Sequence, residues 1–488
     1  MQEISSEEII QRIHLENPWW DSHAILANYK DMCPRAYFRL LFPLAKKRDV
    51  RRAIVLMGPR RVGKTVMIHH TIQGLLDEGI PPKRLCYFSV DHPIYNGLSL
   101  EKLLEYYAQA TGVNYQTEEV YVFFDEIQYL RKWEVHLKSV VDTHPNIKAL
   151  ASGSAAAALR LKSEESGAGR FTDFLLPPLT FYEYLDLLGK TGMLVASSST
   201  APLSRYFVAD NIDELNEQFV QYLNFGGYPE VIFSTQIQAD PARFIKSDII
   251  DKVLLRDLPS LYGISDIQEL NYLFTALAFN TGREVSLEEL SKNSGVAKNT
   301  IKRYIEYLEA AFLIKLVHRI DRNAKRFRRA NFFKVYLANP SMRAALFSPL
   351  KSDDEAMGAL TETAIFSQWF HSESVGILYY ARWNEGEVDI VSILPGTQKA
   401  SWAVEVKWSD RPCDDLGLLK NVIGFCRSNG LQSVGVTSRT RSLGSESQGV
   451  RINFVPASIY CYTVGFNIIH GKEERQERQQ DKPEDKRA

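Results

Sequence analysis

Residues 53–65 read Ala-Ile-Val-Leu-Met-Gly-Pro-Arg-Arg-Val-Gly-Lys-Thr, an apolar run followed directly by a glycine-rich loop. From Gly58 to Thr65 the loop matches G-x-x-x-x-G-K-[ST] at every defined position, and a helical pattern follows it. A strand, loop and helix in this order present backbone N–H groups to phosphates. We therefore predict a site for ATP and Mg²⁺ at Gly58, Pro59, Arg60, Arg61, Val62, Gly63, Lys64 and Thr65. Lys64 is predicted to reach the β- and γ-phosphates, and Thr65 to bind Mg²⁺.

A second part of this site follows another apolar run, Val120–Phe124, where Asp125 and Glu126 stand side by side. Two carboxylates at the tip of a buried strand are costly unless they are solvated or bind a cation. We predict that Asp125 holds Mg²⁺ through water and that Glu126 polarises the water that attacks the γ-phosphate. A simple helix cap is the alternative for this pair.

Two further residues are candidates for the same chemistry. The run Ile147–Ala151 ends in Ser152-Gly153-Ser154, and a hydroxyl there, taken as Ser154, could sense the γ-phosphate or orient the water. A tight turn explains these residues equally well. Arg170 could complete the site of a neighbouring copy as an arginine finger, which predicts a homo-oligomer, or it could be an ordinary surface residue.

Residues 284–316 have the pattern of a helix-turn-helix, and residues 317–338 that of a β wing. Apolar positions of the second helix recur at three- and four-residue steps and are predicted to face the core: Ile301, Tyr304, Ile305, Leu308 and Phe312. The opposite side carries Lys298, Asn299, Lys302 and Arg303, where a helix-turn-helix contacts DNA. Further candidates for phosphate contacts in the wing are Arg322, Lys325, Arg326, Arg328 and Arg329. The alternative is a winged helix that serves only oligomerisation or as a lid.

The charge of the chain is unevenly distributed. Lys and Arg total 58 and Asp and Glu total 59, a net charge of −1 that argues against a uniformly basic protein. Val296–Lys334 nevertheless contains eleven basic and three acidic side chains. This segment is predicted to bind duplex or branched DNA, with an affinity that falls steeply as salt increases.

Three short runs near the C-terminus, residues 376–382, 386–393 and 401–408, are predicted to be adjacent strands. On them Asp389, Glu405 and Lys407 fit the D-x(n)-E-x-K pattern of the PD-(D/E)XK nuclease fold, and Glu362 on a preceding helix matches an additional acid. Asp389 and Glu405 can together hold Mg²⁺, while Lys407 positions the attacking water. A retained fold without cleavage is the alternative, because Val388 stands where the motif has proline.

Seven motifs in a fixed order resemble the bacterial and archaeal AAA+-type ATPases with a C-terminal module. They are NPWW at Asn17–Trp20, GPRRVGKT, FFDEIQ, ASGSA, AGR, LLPPLTFYEYL at Leu175–Leu185 and GGYP at Gly226–Pro229. The likeness runs from about residue 10 to about residue 460. It implies an additional-strand P-loop ATPase core, a helical lid, a winged helix and a nuclease-like module.

A length of 488 residues predicts about three domains. Apolar runs alternate with helical patterns up to about residue 185, which is typical of an α/β parallel sheet. We predict a helical lead-in (1–50), P-loop ATPase core (51–188), helical lid (205–280), winged helix (281–345), PD-(D/E)XK nuclease-like α/β domain (359–470) and disordered tail (471–488). Gly189–Ser204, rich in Ser, Thr and Gly, is predicted to be a linker.

The five cysteines are widely spaced, form no C-x-x-C pair and indicate a reducing compartment. With no signal peptide and no apolar run of about 18 residues, we expect a cytoplasmic protein without a membrane partner. The residues together predict an ATPase that binds DNA, coupled to a Mg²⁺-dependent nuclease-like domain, in repair, recombination or mobile-element defence. A nucleotide-gated DNA-binding scaffold that does not cleave, and a signalling ATPase with a protein ligand, are the alternatives.

Overall fold

The computed structural model describes residues 5–153, 169–197, 206–325, 331–372, 377–394 and 396–480. The chain divides into two compact units. The first comprises Met1–Pro177 with Lys472–Ala488, and the second comprises Pro178–Gly471. Among the described residues, no helix is long and apolar enough to cross a membrane.

The first unit contains a five-stranded parallel sheet in the order β2-β3-β4-β1-β5. The strands are β1 (Ala53–Met57), β2 (Leu85–Ser89), β3 (Val120–Asp125), β4 (Ile147–Gly153) and β5 (Phe171–Leu175). The helices are α1 (Ser6–Glu16), α2 (Trp19–Ser22), α3 (Ala27–Lys30), α4 (Phe38–Lys46), α5 (Lys64–Asp77), α6 (Leu100–Thr111) and α7 (Trp133–Thr143). All residues of β1 and β3 are buried, as expected for strands covered on both faces. The prediction of an α/β P-loop fold with a parallel sheet is confirmed.

The N-terminal segment covers the edge strand β2. The side chain of Asn17 donates to the carbonyl oxygen of Tyr87 at 2.9 Å and accepts from its N–H at 2.6 Å, as a neighbouring strand would. The indole N–H groups of Trp19 and Trp20 both donate to the carbonyl oxygen of Leu85. The NPWW motif therefore satisfies backbone groups that an open edge would leave unpaired.

Asn17→Ala is expected to lower the free energy of unfolding by about 1–3 kcal/mol, because it leaves buried backbone groups of β2 without partners. Asn96→Ala, at an exposed position of the same unit, is the control and should change stability by less than about 0.5 kcal/mol. Urea unfolding followed by tryptophan fluorescence measures both. Equal stability of the two variants would contradict a structural role for Asn17.

The second unit contains a nine-stranded mixed sheet in the order β15-β16-β14-β13-β12-β11-β9-β10-β8. Its strands are β8 (Glu284–Ser286), β9 (Ile314–Ile320), β10 (Phe332–Leu337), β11 (Leu378–Trp383), β12 (Gly386–Ile393), β13 (Ala400–Glu405), β14 (Ser433–Ser438), β15 (Leu443–Ser447) and β16 (Val450–Pro456). A separate ribbon pairs β6 (Leu194–Ala196) with β7 (Phe207–Ala209).

Helices lie between and around these strands in the chain order. They are α8 (Phe181–Leu187), α9 (Ile212–Phe225), α10 (Pro229–Ile232), α11 (Thr235–Ala239), α12 (Leu258–Tyr262), α13 (Ile267–Phe279), α14 (Leu287–Ser294), α15 (Lys298–Ala310), α16 (Ser341–Leu346), α17 (Met357–Trp369), α18 (Arg411–Asp414), α19 (Lys420–Asn429) and α20 (Ala457–Gln480). Two π-helical stretches, Ala242–Asp251 and Val253–Asp257, precede α12. Residues from Lys472 onward belong to the first unit.

The structure departs from the predicted separation of a winged helix (281–345) from a nuclease-like domain (359–470). Strand β9 pairs in parallel with β11, so strands of both segments form one sheet. One hydrophobic core also includes Ile320 and Ala324 together with Val391, Phe425 and Phe454. The polar stretch 348–358 separates the two predicted domains in the sequence, but β9 of the first pairs with β11 of the second.

Three predicted boundaries also need correction. Part of the predicted linker, Leu194–Ala196, is strand β6, because Leu and Val favour a paired strand over an open loop. The predicted ATPase core ends at residue 188, whereas the N-terminal segment of the first unit ends at Pro177 and α8 lies in the second unit. Of the predicted disordered tail (471–488), the described part is helical to Gln480, because its Lys, Glu, Arg and Gln residues are strong helix formers that extend α20, and residues 481–488 lie outside the described residues.

Candidate functional sites

The glycine-rich loop connects the end of β1 to the start of α5. Gly63 has a φ of 95°, a left-handed conformation suited to glycine, and α5 begins at the next residue, Lys64. A Cβ at Gly58 would lie 2.2 Å from the carbonyl oxygen of Leu176, so only glycine fits there. Lys64 Nζ donates to the carbonyl oxygens of Gly58 at 3.0 Å and Pro59 at 2.8 Å. The predicted loop residues thus form a cradle at a helix N-terminus, with the lysine folded across it.

Asp125 is the point where four elements of this unit meet. The hydroxyls of Thr65 on α5 and Tyr87 on β2 donate to its Oδ2 at 2.7 Å and 2.9 Å. The hydroxyl of Ser152 on β4 donates to its Oδ1. Asp125 is only 2% exposed, and the hydrogen bonds from these neutral hydroxyls compensate for the burial of its carboxylate.

Glu126 follows Asp125 with a φ of 55°. Its N–H donates to Ser152 Oγ at 3.1 Å, and Gln128 Nε2 donates to its carboxylate. The structure therefore brings Asp125, Glu126 and the loop helix together at the carboxyl ends of β1, β3 and β4. Ser154 lies outside the described residues, whereas the hydroxyl of Ser152 contacts both the Asp125 carboxylate and the N–H of Glu126.

Arg170 lies at the other end of the sheet within its own chain. Its carbonyl oxygen accepts from the N–H of Ala53, the first residue of β1, whereas Gly58 follows the last residue of that strand. Its guanidinium forms an ion pair with Asp142. The structure does not place Arg170 beside the loop of the same chain.

Two residues near this site were missed from the sequence. Buried Arg35 donates through one guanidinium nitrogen to the carbonyl oxygens of Val62 at 3.0 Å and Pro177 at 2.9 Å, which ties the loop to the strand-end segment. Tyr87 donates to Asp125 because β2 lies next to β3. No motif marks either residue, since each contact depends on tertiary neighbours.

Behind Tyr87, an aromatic cluster encloses His69 on α5. The His69 ring is stacked on Tyr29 with centroids 4.0 Å apart, and Trp19 and Tyr87 lie at 6.1 Å and 4.9 Å. Burial lowers the pKa of His69 to about 4, and the nearby His70 acts in the same direction. His69 is therefore neutral in the folded protein at neutral pH.

We expect the protein to lose stability, relative to a His69→Phe variant, as pH falls from 7 to 5. The folded pKa of about 4 lies below the ordinary value of 6.5, so in this window the unfolded chain binds a proton that the folded protein does not. Linkage makes the difference about 2 kcal/mol at pH 5 and near zero at pH 7. Urea unfolding of both proteins at the two pH values measures it, and equal pH dependence would contradict a buried, neutral His69.

The second candidate site is a cluster of carboxylates in the second unit. Glu362 projects from α17, Asp389 from β12, and Glu405 ends β13. Lys407 Nζ lies 2.7 Å from Glu405 Oε1 and 3.7 Å from Asp389 Oδ2. The N–H of Val406 also donates to Asp389 Oδ2 at 2.8 Å. Glu362 joins them through a second lysine.

That lysine is Lys334 on β10, whose role was missed from the sequence. Its Nζ lies 2.8 Å from Glu362 Oε1, 2.5 Å from Glu387 Oε1 and 3.9 Å from Asp389 Oδ1. Lys334 belongs to the basic segment Val296–Lys334 that is predicted to bind DNA, but its side chain is only 3% exposed. The local excess of positive charge on the surface is correspondingly smaller than predicted.

The carboxylates of this cluster are crowded. Burial raises the pKa of Glu362 and of Glu405, and the negative charge of Asp389 raises both further. Glu405 Oε2 is buried and, among the described residues, has no hydrogen-bond partner. Within those residues no group of three or more His, Cys, Asp or Glu side chains has the geometry to hold a metal ion. A buried carboxylate oxygen without a partner among the described residues, as Glu405 Oε2 is, can accept a cation.

The predicted helix-turn-helix corresponds to two consecutive helices, α14 and α15, joined by a short turn. Ile301, Tyr304, Ile305 and Leu308 are buried as predicted, whereas Phe312 is half-buried at the turn after α15. Lys298, Asn299, Lys302 and Arg303 are exposed on α15, and Arg322 and Lys325 are exposed after β9. Lys298 lies 3.2 Å from Glu288 and Lys302 4.0 Å from Glu306, both exposed pairs of small energetic weight. Arg326, Arg328 and Arg329 lie outside the described residues.

Residues 50–185 match the family model described as an AAA domain. The match includes the parallel sheet and the loop before α5, so this part of the chain has the fold of an AAA domain. Residues 216–354 match a second model, described as a domain of unknown function, DUF8612. That match extends across residue 280, the predicted boundary between the helical lid and the winged helix.

Three relatives are uncharacterized proteins. One from Methanocaldococcus jannaschii is 25% identical over 362 residues, 72% of this chain and 75% of the relative. Another from the same organism is 23% identical over 349 residues, 69% and 71% of the two chains. One from Haemophilus influenzae is 23% identical over 298 residues, 59% and 68% of the two chains.

Solved structures give weaker likenesses. The match to the Walker-type ATPase of Pyrococcus abyssi covers 65% of this chain and 96% of that protein, with a TM-score of 0.40 and 15% identity. The Aeropyrum pernix ORC1 protein, solved in complex with DNA, covers 67% and 95% with a TM-score of 0.29 and 13% identity. Likenesses this weak carry no functional argument, so the class of the first unit rests on the family match and on its geometry.

Proposed function

We propose that this protein is a cytoplasmic ATP-hydrolysing switch that binds DNA and cleaves it at the carboxylate cluster, in repair, recombination or mobile-element defence. The observation that carries the ATPase part is the 2.7 Å contact between the hydroxyl of Thr65 and Asp125. It joins the helix after the loop to the strand that ends in the acid pair, as ATP hydrolysis requires.

Each residue of the first site has a distinct role in this proposal. The loop N–H groups hold the phosphates, and Lys64 exchanges its two carbonyl contacts for phosphate oxygens. Thr65 and Asp125 would hold Mg²⁺, which supplies positive charge against the phosphates. Glu126 accepts a hydrogen bond from the attacking water. In a homo-oligomer, Arg170 of a neighbouring copy would stabilise charge on the transferred phosphoryl group.

Lys64→Ala is expected to reduce ATP turnover by at least 100-fold, because it removes the side chain that contacts the β- and γ-phosphates. Lys138→Ala, at an exposed position of the same unit, is the matched control and should retain full activity. Phosphate release by the purified proteins with ATP and Mg²⁺ measures the effect, and circular dichroism checks folding. Unchanged turnover in a folded Lys64→Ala protein would rule out this loop as the ATPase site.

The DNA part of the proposal is supported by the exposed side chains of α15 and the turn after β9. Lys298, Lys302 and Arg303 occupy the outer face of the second helix, opposite its buried residues. Arg322 and Lys325 add positive charge beyond β9. Such a surface binds phosphates mainly through charge, and its affinity should fall steeply with salt.

The cleavage part is supported by the grouping of Asp389, Glu405 and Lys407. Mg²⁺ held by Asp389 and Glu405 would polarise the scissile phosphate. Lys407, whose side chain is 34% exposed, can contact both a phosphate and the attacking water. A second candidate function, DNA binding without cleavage, is favoured by one observation: Lys334 already pairs with Glu362 and lies near Asp389.

Asp389→Asn and Lys407→Ala are each expected to abolish Mg²⁺-dependent cutting of supercoiled and branched DNA while leaving DNA binding intact. Lys302→Ala combined with Arg303→Ala should weaken binding and reduce cutting together. Lys399→Ala, in an exposed loop, is the control and should behave as the unmutated protein. Gel shift and cleavage are scored on the same samples, with and without ATP.

Three outcomes discriminate among the functions. Cleavage by the unmutated protein that Asp389→Asn removes supports the nuclease. DNA binding that responds to ATP, without cleavage in Mg²⁺ or Mn²⁺, supports the non-cleaving scaffold and overturns the nuclease. Absence of DNA binding at low salt overturns both and favours a signalling ATPase with a protein ligand.

A further inference from the structure

Lys334 is a buried cation contributed by a strand outside the segment that carries the nuclease-like motif. It lies on β10, which pairs with β8 and β9 beside the helix-turn-helix, whereas Glu362, Glu387 and Asp389 lie on α17 and β12. Its side chain is 3% exposed, so Lys334 cannot serve as a surface contact for DNA. A charge buried to this degree needs partners that offset its desolvation.

Those partners surround the ammonium group. Glu362 Oε1 is 2.8 Å away, Glu387 Oε1 2.5 Å and Asp389 Oδ1 3.9 Å, and the ring of Tyr380 lies 5.4 Å from Nζ. Tyr336, on the same face of β10, donates to Glu362 Oε1 at 2.6 Å. β10 therefore fixes the position of Glu362 through two side chains.

Asp389 lies between two ammonium groups. Its Oδ1 is 3.9 Å from Lys334, and its Oδ2 is 3.7 Å from Lys407. The two lysines differ in access, since Lys407 is 34% exposed and Lys334 only 3%. One side of the cluster is thus closed by a fixed positive charge, and the other is open to solvent.

We propose that Lys334 is a resident cation of the carboxylate cluster, a positioning residue that holds Glu362 and Glu387 and confines a divalent cation to Asp389 and Glu405. Like charges a few ångströms apart repel strongly in a partly buried site, so Lys334 excludes a divalent cation from the Glu362 side. This inference rests on the proposed function in one respect, that Asp389 and Glu405 hold a divalent cation.

Titration of the full chain with Mn²⁺ alone, without nucleotide or DNA, tests this role. Lys334→Gln removes the charge but keeps a donor for Glu362, and should bind Mn²⁺ at least tenfold more tightly or at one additional site. Lys315→Gln is the matched control, because Lys315 lies on neighbouring β9 and pairs with Glu309 at 3.2 Å, away from the cluster. Its Mn²⁺ binding should equal that of the unmutated protein.

A folded Lys334→Gln protein with unchanged Mn²⁺ affinity and stoichiometry would overturn the inference. If Lys334→Gln alone does not fold, the double variant Lys334→Gln with Glu387→Gln replaces the ion pair by a pair of amides. This double variant must then bind Mn²⁺ at least tenfold more tightly, or at one additional site, than Glu387→Gln alone. If the unmutated protein and Asp389→Asn bind Mn²⁺ equally, the metal site of the proposed function fails. The confinement of a cation to Asp389 and Glu405 then fails with it, whereas the gain on loss of Lys334 still tests whether this lysine excludes Mn²⁺ from the Glu362 side.

Discussion

A buried carboxylate must be hydrogen-bonded or paired with a cation, and this constraint shapes both candidate sites. Asp125 is satisfied by neutral hydroxyls from three other elements, which draws α5, β2 and β4 to the end of β3. Glu362, Glu387 and Asp389 share the ammonium group of Lys334, and Arg382 and Lys407 add positive charge at Glu387 and Asp389. The first arrangement leaves Asp125 free to exchange hydroxyls for a cation, and the second builds a cation into the fold.

The nine-stranded sheet joins the strand that carries Lys334 to the strands that carry Asp389 and Glu405. Because β9 pairs with β11, the strands beside the helix-turn-helix and those carrying Asp389 and Glu405 form one element. Charged pairs follow the same junction, where Glu284 on β8 contacts Arg319 on β9 and Arg382 on β11. A segment that binds DNA through α15 would therefore be rigidly linked to the residues proposed to cleave it.

Much of the first site could be predicted from the sequence, because its chemistry lies in contiguous motifs. The loop before Lys64 and the acid pair at Asp125 each combine a strand, a turn and a functional residue within a few positions. Arg35, Tyr87 and Lys334 could not be predicted, because their partners are 27 to 142 residues away in the chain. Lys334 also stands in a basic stretch, so the local charge suggested a solvent-facing side chain. The joint sheet was missed because strand order follows from edge pairing, which leaves no local signal.

We infer that β10 and the strands that carry Asp389 and Glu405 form one cooperative element fixed by Lys334. Hydrogen exchange of the full chain, followed by mass spectrometry, tests it most directly. We expect peptides covering Phe332–Leu337 and Gly386–Ile393 to be equally protected, and their protection to fall together in Lys334→Gln. Rapid exchange of the first peptide while the second stays protected, unchanged by the substitution, would contradict it.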